Sequence, residues 1–204
     1  MSVNFGDFET EHLGLGSSLP WQFAWTRMEK GKIVDSKEFY IDVPNLNVSI
    51  DAARVTGFNI YKYNDLKVPA ETVVEFIEDQ IVNSKDAFAG HNILGFDLYI
   101  MRNLYEVVGR DFDFKRIIYR CIDTLSLGRG RFHQIEVPDN KHERLAYMYK
   151  MLARPNKAFK GSLSAIAKDF GIEFDESRLH DALYDIKLNA QVYKQLIYGT
   201  SLPF

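Results

Sequence analysis

Residues 6–12 read GDFETEH and end the first apolar stretch of the chain. The apolar residues Val3 and Phe5 come just before this segment and favour a central, buried strand. Side chains two residues apart in a strand point the same way, so Asp7 and Glu9 project two carboxylates from one side of its carboxyl end. Two carboxylates within roughly 6 Å of each other repel, and burial raises their pKa values unless a cation joins them. The segment therefore points to a metal site at the end of a central strand.

Composition is that of an ordinary globular chain. It has 204 residues, 46% of them hydrophobic, which is enough for one compact domain with a real core. The formal net charge of -3 means that affinity for a polyanion must come from a local patch or from bound metal ions. A single cysteine, Cys121, excludes a disulfide framework and is typical of a small buried hydrophobe. With neither a signal-peptide pattern nor a bilayer-length apolar stretch, we expect a cytoplasmic protein without membrane association.

Hydrophobic periodicity predicts alternating strands and helices. We expect five strands, over residues 2–9, 21–28, 32–41, 87–89 and 117–122. We expect helices over residues 71–82, 98–108, 142–152, 163–170 and 182–197, with a loop between the third strand and the first helix. This order implies an α/β fold in which helices pack on a sheet of mixed direction.

Two further acids lie at element boundaries. Asp97 ends GHNILGFD (90–97) and begins the helix after the fourth strand, and Asp185 ends HDALYD (180–185), one turn into the last helix. Carboxylate oxygens suit hard divalent ions such as Mg²⁺ or Mn²⁺, and four carboxylates offset the charge of two such ions. Two divalent ions roughly 4 Å apart stabilise an in-line displacement at phosphorus. The residues therefore predict a site for two divalent cations, Mg²⁺ or Mn²⁺, that acts on a phosphate ester.

The ordered set DFET (7–10), GHNxxxFD (90–97) and HDALYD (180–185) resembles the motifs of the DnaQ-like 3′→5′ exonucleases of the DEDD superfamily. The third motif is similar to that of the DEDDh branch, which carries a histidine, here His180. The tyrosine branch would carry Tyr at the place that Asp181 occupies. The resemblance spans essentially the whole chain. It implies an RNase H-like fold with a mixed five-stranded sheet and helices on both faces.

The resemblance also implies a role for each motif residue. Asp7, Glu9 and Asp185 would bind one metal ion, and Asp7 would bridge to a second ion whose waters Asp97 would hold. His180 would be the general base for the attacking water, a task suited to an imidazole because histidine ordinarily titrates near neutral pH. The terminal nucleotide would be contacted by four further residues, Thr10, Leu13, Asn92 and Phe96.

Other polar and aromatic residues near the motifs have structural interpretations. We expect His91 to form local hydrogen bonds rather than to bind metal. Asp181 is predicted to cap the last helix, and Asp123 to cap a turn. Trp21 and Trp25 alternate along a strand, which favours core packing over base stacking.

Residues 129–160 form a basic segment with eight Lys or Arg against three acids. Apolar spacing in residues 142–152 predicts a helix inside it, so within a single domain over residues 1–204 we expect a basic helical insertion. The segment either contacts the nucleic-acid backbone or is a solvated or partner-docking face. The candidate phosphate contacts are Arg144, Lys150, Arg154 and Lys157.

Three functions are compatible with these residues. The first is a metal-dependent 3′→5′ exonuclease that acts on single-stranded, frayed or mismatched DNA ends and releases nucleoside 5′-monophosphates. The second is an exoribonuclease of the same fold, and the third is a non-catalytic nucleic-acid-binding module. A non-catalytic module need not keep four buried acids, because without metal these acids would weaken both folding and polyanion binding. The predicted partner is single-stranded nucleic acid, with DNA favoured over RNA, and a DNA polymerase or another replication or repair protein is a further candidate.

Overall fold

A computed structural model describes residues 2–12, 14–154 and 156–199. In these ranges six strands form one sheet: β1 (Ser2–Thr10), β2 (Pro20–Glu29), β3 (Lys32–Asp42), β4 (Lys67–Pro69), β5 (Ala87–Gly90) and β6 (Cys121–Asp123). The same ranges hold eight α-helices: α1 (Ile50–Thr56), α2 (Ile60–Leu66), α3 (Ala70–Ile77), α4 (Asp97–Val107), α5 (Thr124–Phe132), α6 (Lys141–Leu152), α7 (Leu163–Asp169) and α8 (Ala182–Tyr198).

The strand order is β4-β3-β2-β1-β5-β6, which places β1 in the interior of the sheet. β1 and β2 are antiparallel, as are β2 and β3, whereas β5 runs parallel to both β1 and β6. Phe5 pairs with Ala89, and Gly90 pairs with Asp123. The carboxyl ends of β1, β5 and β6 therefore meet at one edge of the sheet.

Helices cover both faces, as predicted. On one face Phe8 and Phe88 pack into the main core with residues of α3, α4, α5 and α6. On the other face α8 packs on β1 and β2, where Val3 and Phe5 contact a row of small and branched helix residues that includes Ile186. Because side chains alternate along a strand, Asp7 and Glu9 extend the row of Val3 and Phe5 towards the beginning of α8.

The prediction of five strands was wrong by one strand. Residues Lys67–Pro69 form β4, which lies parallel to β3 at the edge of the sheet. A three-residue strand has too few positions to show alternation, and its proline is tolerated because an edge strand needs no second ladder partner.

The predicted loop after β3 was also wrong, since it contains α1 and α2. Ser49 caps α1 by accepting a hydrogen bond from the Ala52 N–H, and Gly57 ends that helix with a φ of 68°. Asn59 caps α2 in the same way. Helix α1 buries none of its residues, so it has no apolar stripe that sequence periodicity could detect.

The fifth predicted strand, over residues 117–122, is only Cys121–Asp123. The apolar residues before it form two short 3₁₀ turns, over Phe114–Arg116 and Ile118–Arg120. The Arg120 guanidinium stabilises this compact path by donating to the carbonyl oxygens of Asp86, Ile81 and Val82.

The five predicted helices are confirmed with small shifts of their ends. α3 continues as a π-helical turn to Val82, Ser162 caps α7, and α6 lies inside the basic segment. The buried positions predicted for Trp21, Trp25 and Cys121 are confirmed, each being 2% exposed. In the part of the chain that the structure describes, none of the helices is both long and apolar enough to cross a bilayer.

A carboxylate cluster as the candidate active site

Three elements bring the four predicted acids to one edge of the sheet. Asp7 and Glu9 lie on β1, Asp97 is the first residue of α4, and Asp185 lies in the first turn of α8. The positions that the sequence predicted for Asp97 and Asp185 are thus confirmed.

The four carboxylates are close enough to raise one another's pKa. Burial raises the pKa of Asp7 well above its ordinary value, and the charges of the other three acids raise it further. Burial and the Asp185 charge raise the pKa of Glu9 to about 8. Asp97 is 2% exposed, and burial raises its pKa to about 7. Four negative charges at this edge are therefore unfavourable at neutral pH unless a cation offsets them.

Backbone amides hold two of these carboxylates. The Phe8 N–H donates to Oδ1 of Asp97 over 3.2 Å, and the His180 N–H donates to Oδ2 of Asp185 over 3.0 Å. Burial raises the pKa of Asp185, and the hydrogen bond from His180 opposes that rise. Oδ1 of Asp185 is buried and has no hydrogen-bond partner within the described residues. An orphaned carboxylate oxygen beside three further acids is a favourable position for a cation.

The donor set fits hard divalent ions, because all four side chains offer carboxylate oxygens. Within the described ranges, however, no three His, Cys, Asp or Glu side chains are arranged to hold one metal ion. Asp97 and Asp185 instead direct an oxygen to a backbone donor. A carboxylate that accepts a hydrogen bond through one oxygen can still bind a cation through the other, and Oδ1 of Asp185 is such an oxygen.

His180 precedes α8 and is exposed. Its φ of 71° lies in the left-handed region, which is uncommon for a residue other than glycine. The next residue, Asp181, caps α8 by accepting a hydrogen bond from the Tyr184 N–H, which confirms its predicted role. The turn at His180 thus directs its N–H to Asp185 and leaves the imidazole at the surface of the cluster.

A cavity of about 490 Å³ opens beside the cluster and is called here the β1–α1 cavity. Glu9 and His180 line it together with two of the predicted nucleotide contacts, Thr10 and Phe96. Residues of α1 form another part of its wall, among them Asp51, Val55 and Thr56.

The four predicted nucleotide contacts differ in their placement. Thr10 is buried, and its hydroxyl donates to the His12 carbonyl oxygen over 2.7 Å. Asn92 has a φ of 64° and is not among the described lining residues of the β1–α1 cavity. Leu13 lies outside the described residues. Phe96 and Thr10 are therefore the two that the structure brings to this cavity.

Asp123 has a second role that the sequence did not reveal. The prediction that it caps a turn was wrong in part, because it caps α5 by accepting from the Ser126 N–H, and it also accepts from the Leu94 N–H over 3.1 Å. Burial raises its pKa to about 6, and these backbone hydrogen bonds limit the rise. Asp123 thereby ties the loop that carries Asn92 and Phe96 to the end of β6.

Glu11 is a further structural acid that the sequence analysis did not single out. Its carboxylate accepts from the Leu19 N–H over 3.2 Å and from the Asn47 N–H over 2.9 Å. It is 7% exposed and fixes two loops beside the end of β1. Only its place directly after DFET could have drawn attention to it.

His91 forms hydrogen bonds, but the prediction that they would be local was wrong. Its Nε2 lies 2.8 Å from the Gly161 carbonyl oxygen, and its Nδ1 lies 3.2 Å from Oγ1 of Thr124. Burial lowers the pKa of His91 to about 4, so the ring is neutral at pH 7. It connects the end of β5 to the segment after α6.

The candidate phosphate contacts of the basic segment lie in different places. Lys150, Arg154 and Lys157 are exposed. Arg144 is half-buried and lines a separate cavity together with Ile197, near the far end of α8 from Asp185. Ile197 lies twelve positions after Asp185, which corresponds to about 18 Å along the helix axis.

Solved structures share this architecture. The zinc-bound E. coli exonuclease I complex with single-stranded DNA has a TM-score of 0.74 at 20% identity, and the match covers 99% of this chain and 41% of that chain. The complex of E. coli exonuclease I with a dT13 oligonucleotide gives 0.71 at 19% identity, over 98% of this chain and 41% of that one. The chain has the fold of the matched part of exonuclease I.

An apo exonuclease I structure matches with a TM-score of 0.72 at 19% identity, over 98% of this chain and 42% of the other. This chain therefore spans less than half the length of the exonuclease I chains that it matches. No protein-family model matches the sequence, and no curated protein matches it significantly. The comparisons establish the RNase H-like fold.

Proposed function

We propose that the chain is a metal-dependent 3′→5′ exonuclease of the DEDDh type. It would hydrolyse phosphodiester bonds from the 3′ end of single-stranded or frayed DNA and release nucleoside 5′-monophosphates. The observation that carries the proposal is the meeting of four mutually repelling carboxylates with His180 at one sheet edge. The solved exonuclease I complexes contain single-stranded DNA, which favours DNA as the substrate.

Asp7, Glu9, Asp97 and Asp185 would hold the two divalent cations. When bound, Mg²⁺ or Mn²⁺ would offset the charge of the phosphate and lower the pKa of a water molecule. The unpartnered Oδ1 of Asp185 and the raised pKa of Asp7 support this assignment.

His180 is assigned the proton transfer. Its backbone is held by Asp185, and its imidazole, at the wall of the β1–α1 cavity, would accept the proton of the attacking water. The terminal nucleoside would occupy the β1–α1 cavity. There Phe96 offers an aromatic side chain, and Thr10 fixes the end of β1.

The exposed residues Lys150, Arg154 and Lys157 remain proposed contacts to the nucleic-acid backbone. Their charge would partly offset the negative potential of the carboxylate edge, which otherwise repels a polyanion. Arg144 completes the proposed set from its position near Ile197.

The proposal is tested with purified protein, Mg²⁺ or Mn²⁺, and 3′-labelled substrates of equal length. The substrates are single-stranded DNA, duplex DNA with a mismatched 3′ end, fully paired duplex and RNA. We expect release of labelled nucleoside 5′-monophosphate from the first two, with slower release from paired duplex and from RNA.

The test variant is Asp7→Asn, and its matched control is Asp111→Asn. Each variant removes one carboxylate. Asp111 is an exposed acid in the loop after α4, so its variant should retain activity. Folded wild-type protein that releases no label with either metal ion would contradict the proposal, and so would equal activity of the two variants.

A further inference from the structure

A second cavity adjoins the candidate active site on the other side of His180. It has a volume of about 510 Å³ and is called here the β2–α8 cavity. It shares Val55, Thr56 and His180 with the β1–α1 cavity. These three residues form the boundary between the two spaces.

The two cavities differ in the charged residues that line them. The β2–α8 cavity is lined by four cationic side chains, Arg54, Lys62, Arg178 and Lys187. Two acids, Glu38 and Asp181, also line it, so the balance is positive. The described lining of the β1–α1 cavity has two acids, Glu9 and Asp51, and no Lys or Arg. All the Lys and Arg side chains of the two linings therefore lie on one side of His180.

The cations come from both walls of the β2–α8 cavity. Arg54 lies on α1 and Lys62 on α2, whereas Arg178 and Lys187 lie before and within α8. The Lys62 ammonium lies 5.0 Å from the centre of the Tyr40 ring. Contact with an aromatic face holds a cation near the wall without neutralising it.

The ion pairs that Arg54 and Arg178 form with acids leave both side chains able to bind another anion. Arg54 lies 3.2 Å from Asp51, and both side chains are exposed. Arg178 lies 3.9 Å from Asp181 and packs over the Tyr184 ring at 4.4 Å. Exposed pairs of this kind are weak, and each guanidinium keeps further donors for another anion.

Trp21 forms part of the cavity wall beside Lys62. It is 2% exposed, and its ring centre lies 6.0 Å from that of the Tyr40 ring, which the Lys62 ammonium contacts. Packed aromatic rings thus support the wall on which this cation lies.

We infer that the β2–α8 cavity binds the phosphodiester backbone of the single strand directly 5′ of the scissile phosphate. This inference rests on the proposed function. If the terminal nucleoside occupies the β1–α1 cavity and His180 faces the scissile phosphate, the rest of the strand leaves on the other side of His180. The positive cavity lies there, and its volume is that of a small-ligand site, which suits one or two nucleotides rather than a duplex.

The test measures binding of a fluorescent dT8 single strand with Ca²⁺ in place of Mg²⁺, over a range of salt concentrations. The variants are R178A/K187A and, from the opposite wall, R54Q/K62Q. The control is K32A/K194A, which removes two exposed cations near the β2–β3 turn, at the opposite end of the sheet. Thermal denaturation establishes that each variant is folded, and the second cavity pair keeps the test decisive if the first does not fold.

We expect each cavity pair to raise the Kd about tenfold or more and to flatten the salt dependence by about 1.4, at about 0.7 per phosphate contact on a single strand. The control should bind like wild type. Wild-type Kd and salt slope in both cavity variants would overturn the inference, even if the 3′ exonuclease activity is found. The cavity variants could bind the strand more weakly while wild-type protein hydrolyses none of the substrates. That result would support the cavity as a single-strand site and overturn the proposed function instead. If wild-type protein does not bind the strand, both proposals are overturned.

Discussion

The backbone N–H of His180 donates a hydrogen bond to Oδ2 of Asp185, 3.0 Å away, while His180 itself has a φ of 71°. The turn before α8 thus fixes one acid of the cluster through the backbone and leaves the imidazole free for chemistry. The backbone contact and the imidazole can therefore be tested separately.

Replacing His180 should separate catalysis from folding. We expect His180→Gly to lower turnover by about 10²- to 10⁴-fold, the usual loss for a general base. The same variant should unfold at an equal or higher temperature than His180→Ala, because glycine adopts the left-handed conformation without strain. Single-turnover kinetics and thermal denaturation measure the two effects. If His180→Ala were more stable than His180→Gly, the turn at His180 would not be strained. If His180→Gly kept near wild-type turnover, His180 would not be the general base.

Removing Asp7 should abolish hydrolysis without loss of metal-free stability. The cluster raises the pKa of Asp7, so Asp7→Ala relieves repulsion, and the metal-free variant should melt no lower than metal-free wild type. Added Mg²⁺ should raise the melting temperature of wild type but hardly that of the variant. Asp111→Ala is the control and should respond to Mg²⁺ like wild type. A variant that keeps the full Mg²⁺ response would show that Asp7 is not a metal ligand.

Tyr184→Phe should have little effect on turnover if the histidine carries the proton. The Tyr184 hydroxyl accepts a hydrogen bond from the Asp175 N–H over 2.6 Å, so its loss should reduce stability by about 0.5–1.5 kcal/mol. Steady-state kinetics and chemical denaturation distinguish these outcomes. A fall in kcat of a hundredfold or more would reassign the proton transfer to this phenol.

His91 should make the fold less stable as the pH falls. Burial lowers the pKa of His91 from 6.5 to about 4, so the unfolded chain takes up a proton at higher pH than the folded chain does. The unfolding free energy should therefore decrease between about pH 6.5 and pH 4, by up to about 3 kcal/mol.

The difference in unfolding free energy between wild type and His91→Gln isolates this effect, because the carboxylates titrate in both proteins. We expect the difference to shrink as the pH is lowered from 7 to 4. A difference that stays constant over that range would contradict a neutral, buried His91.

Sequence reasoning identified the catalytic candidates because motif spacing and strand alternation fix which residues share an edge. Asp7 and Glu9 share a face of β1 because side chains alternate along a strand. The positions of Asp97 and Asp185 could be predicted because each lies in the first turn of a helix whose beginning the sequence indicates. The cap role of Asp181 follows from residue type alone.

Other features depend on contacts between residues far apart in the chain. The carboxylate of Asp123 reaches Leu94, and that of Glu11 reaches Asn47, so neither role has a local sequence signal. Helix α1 buries none of its residues, and only Ser49 and Gly57 at its ends could have indicated it. The charge contrast between the two cavities arises from residues of separate elements that only the fold brings together.

The direction of hydrolysis tests the central claim most directly. Wild-type protein and Asp7→Asn are incubated with Mg²⁺ and a 5′-labelled single-stranded DNA, and the products are resolved by length over time. The account predicts a ladder that shortens one nucleotide at a time from the 3′ end with wild type, and an intact strand with the variant. Immediate release of a labelled mononucleotide, internal cuts, or an equal ladder from Asp7→Asn would contradict it.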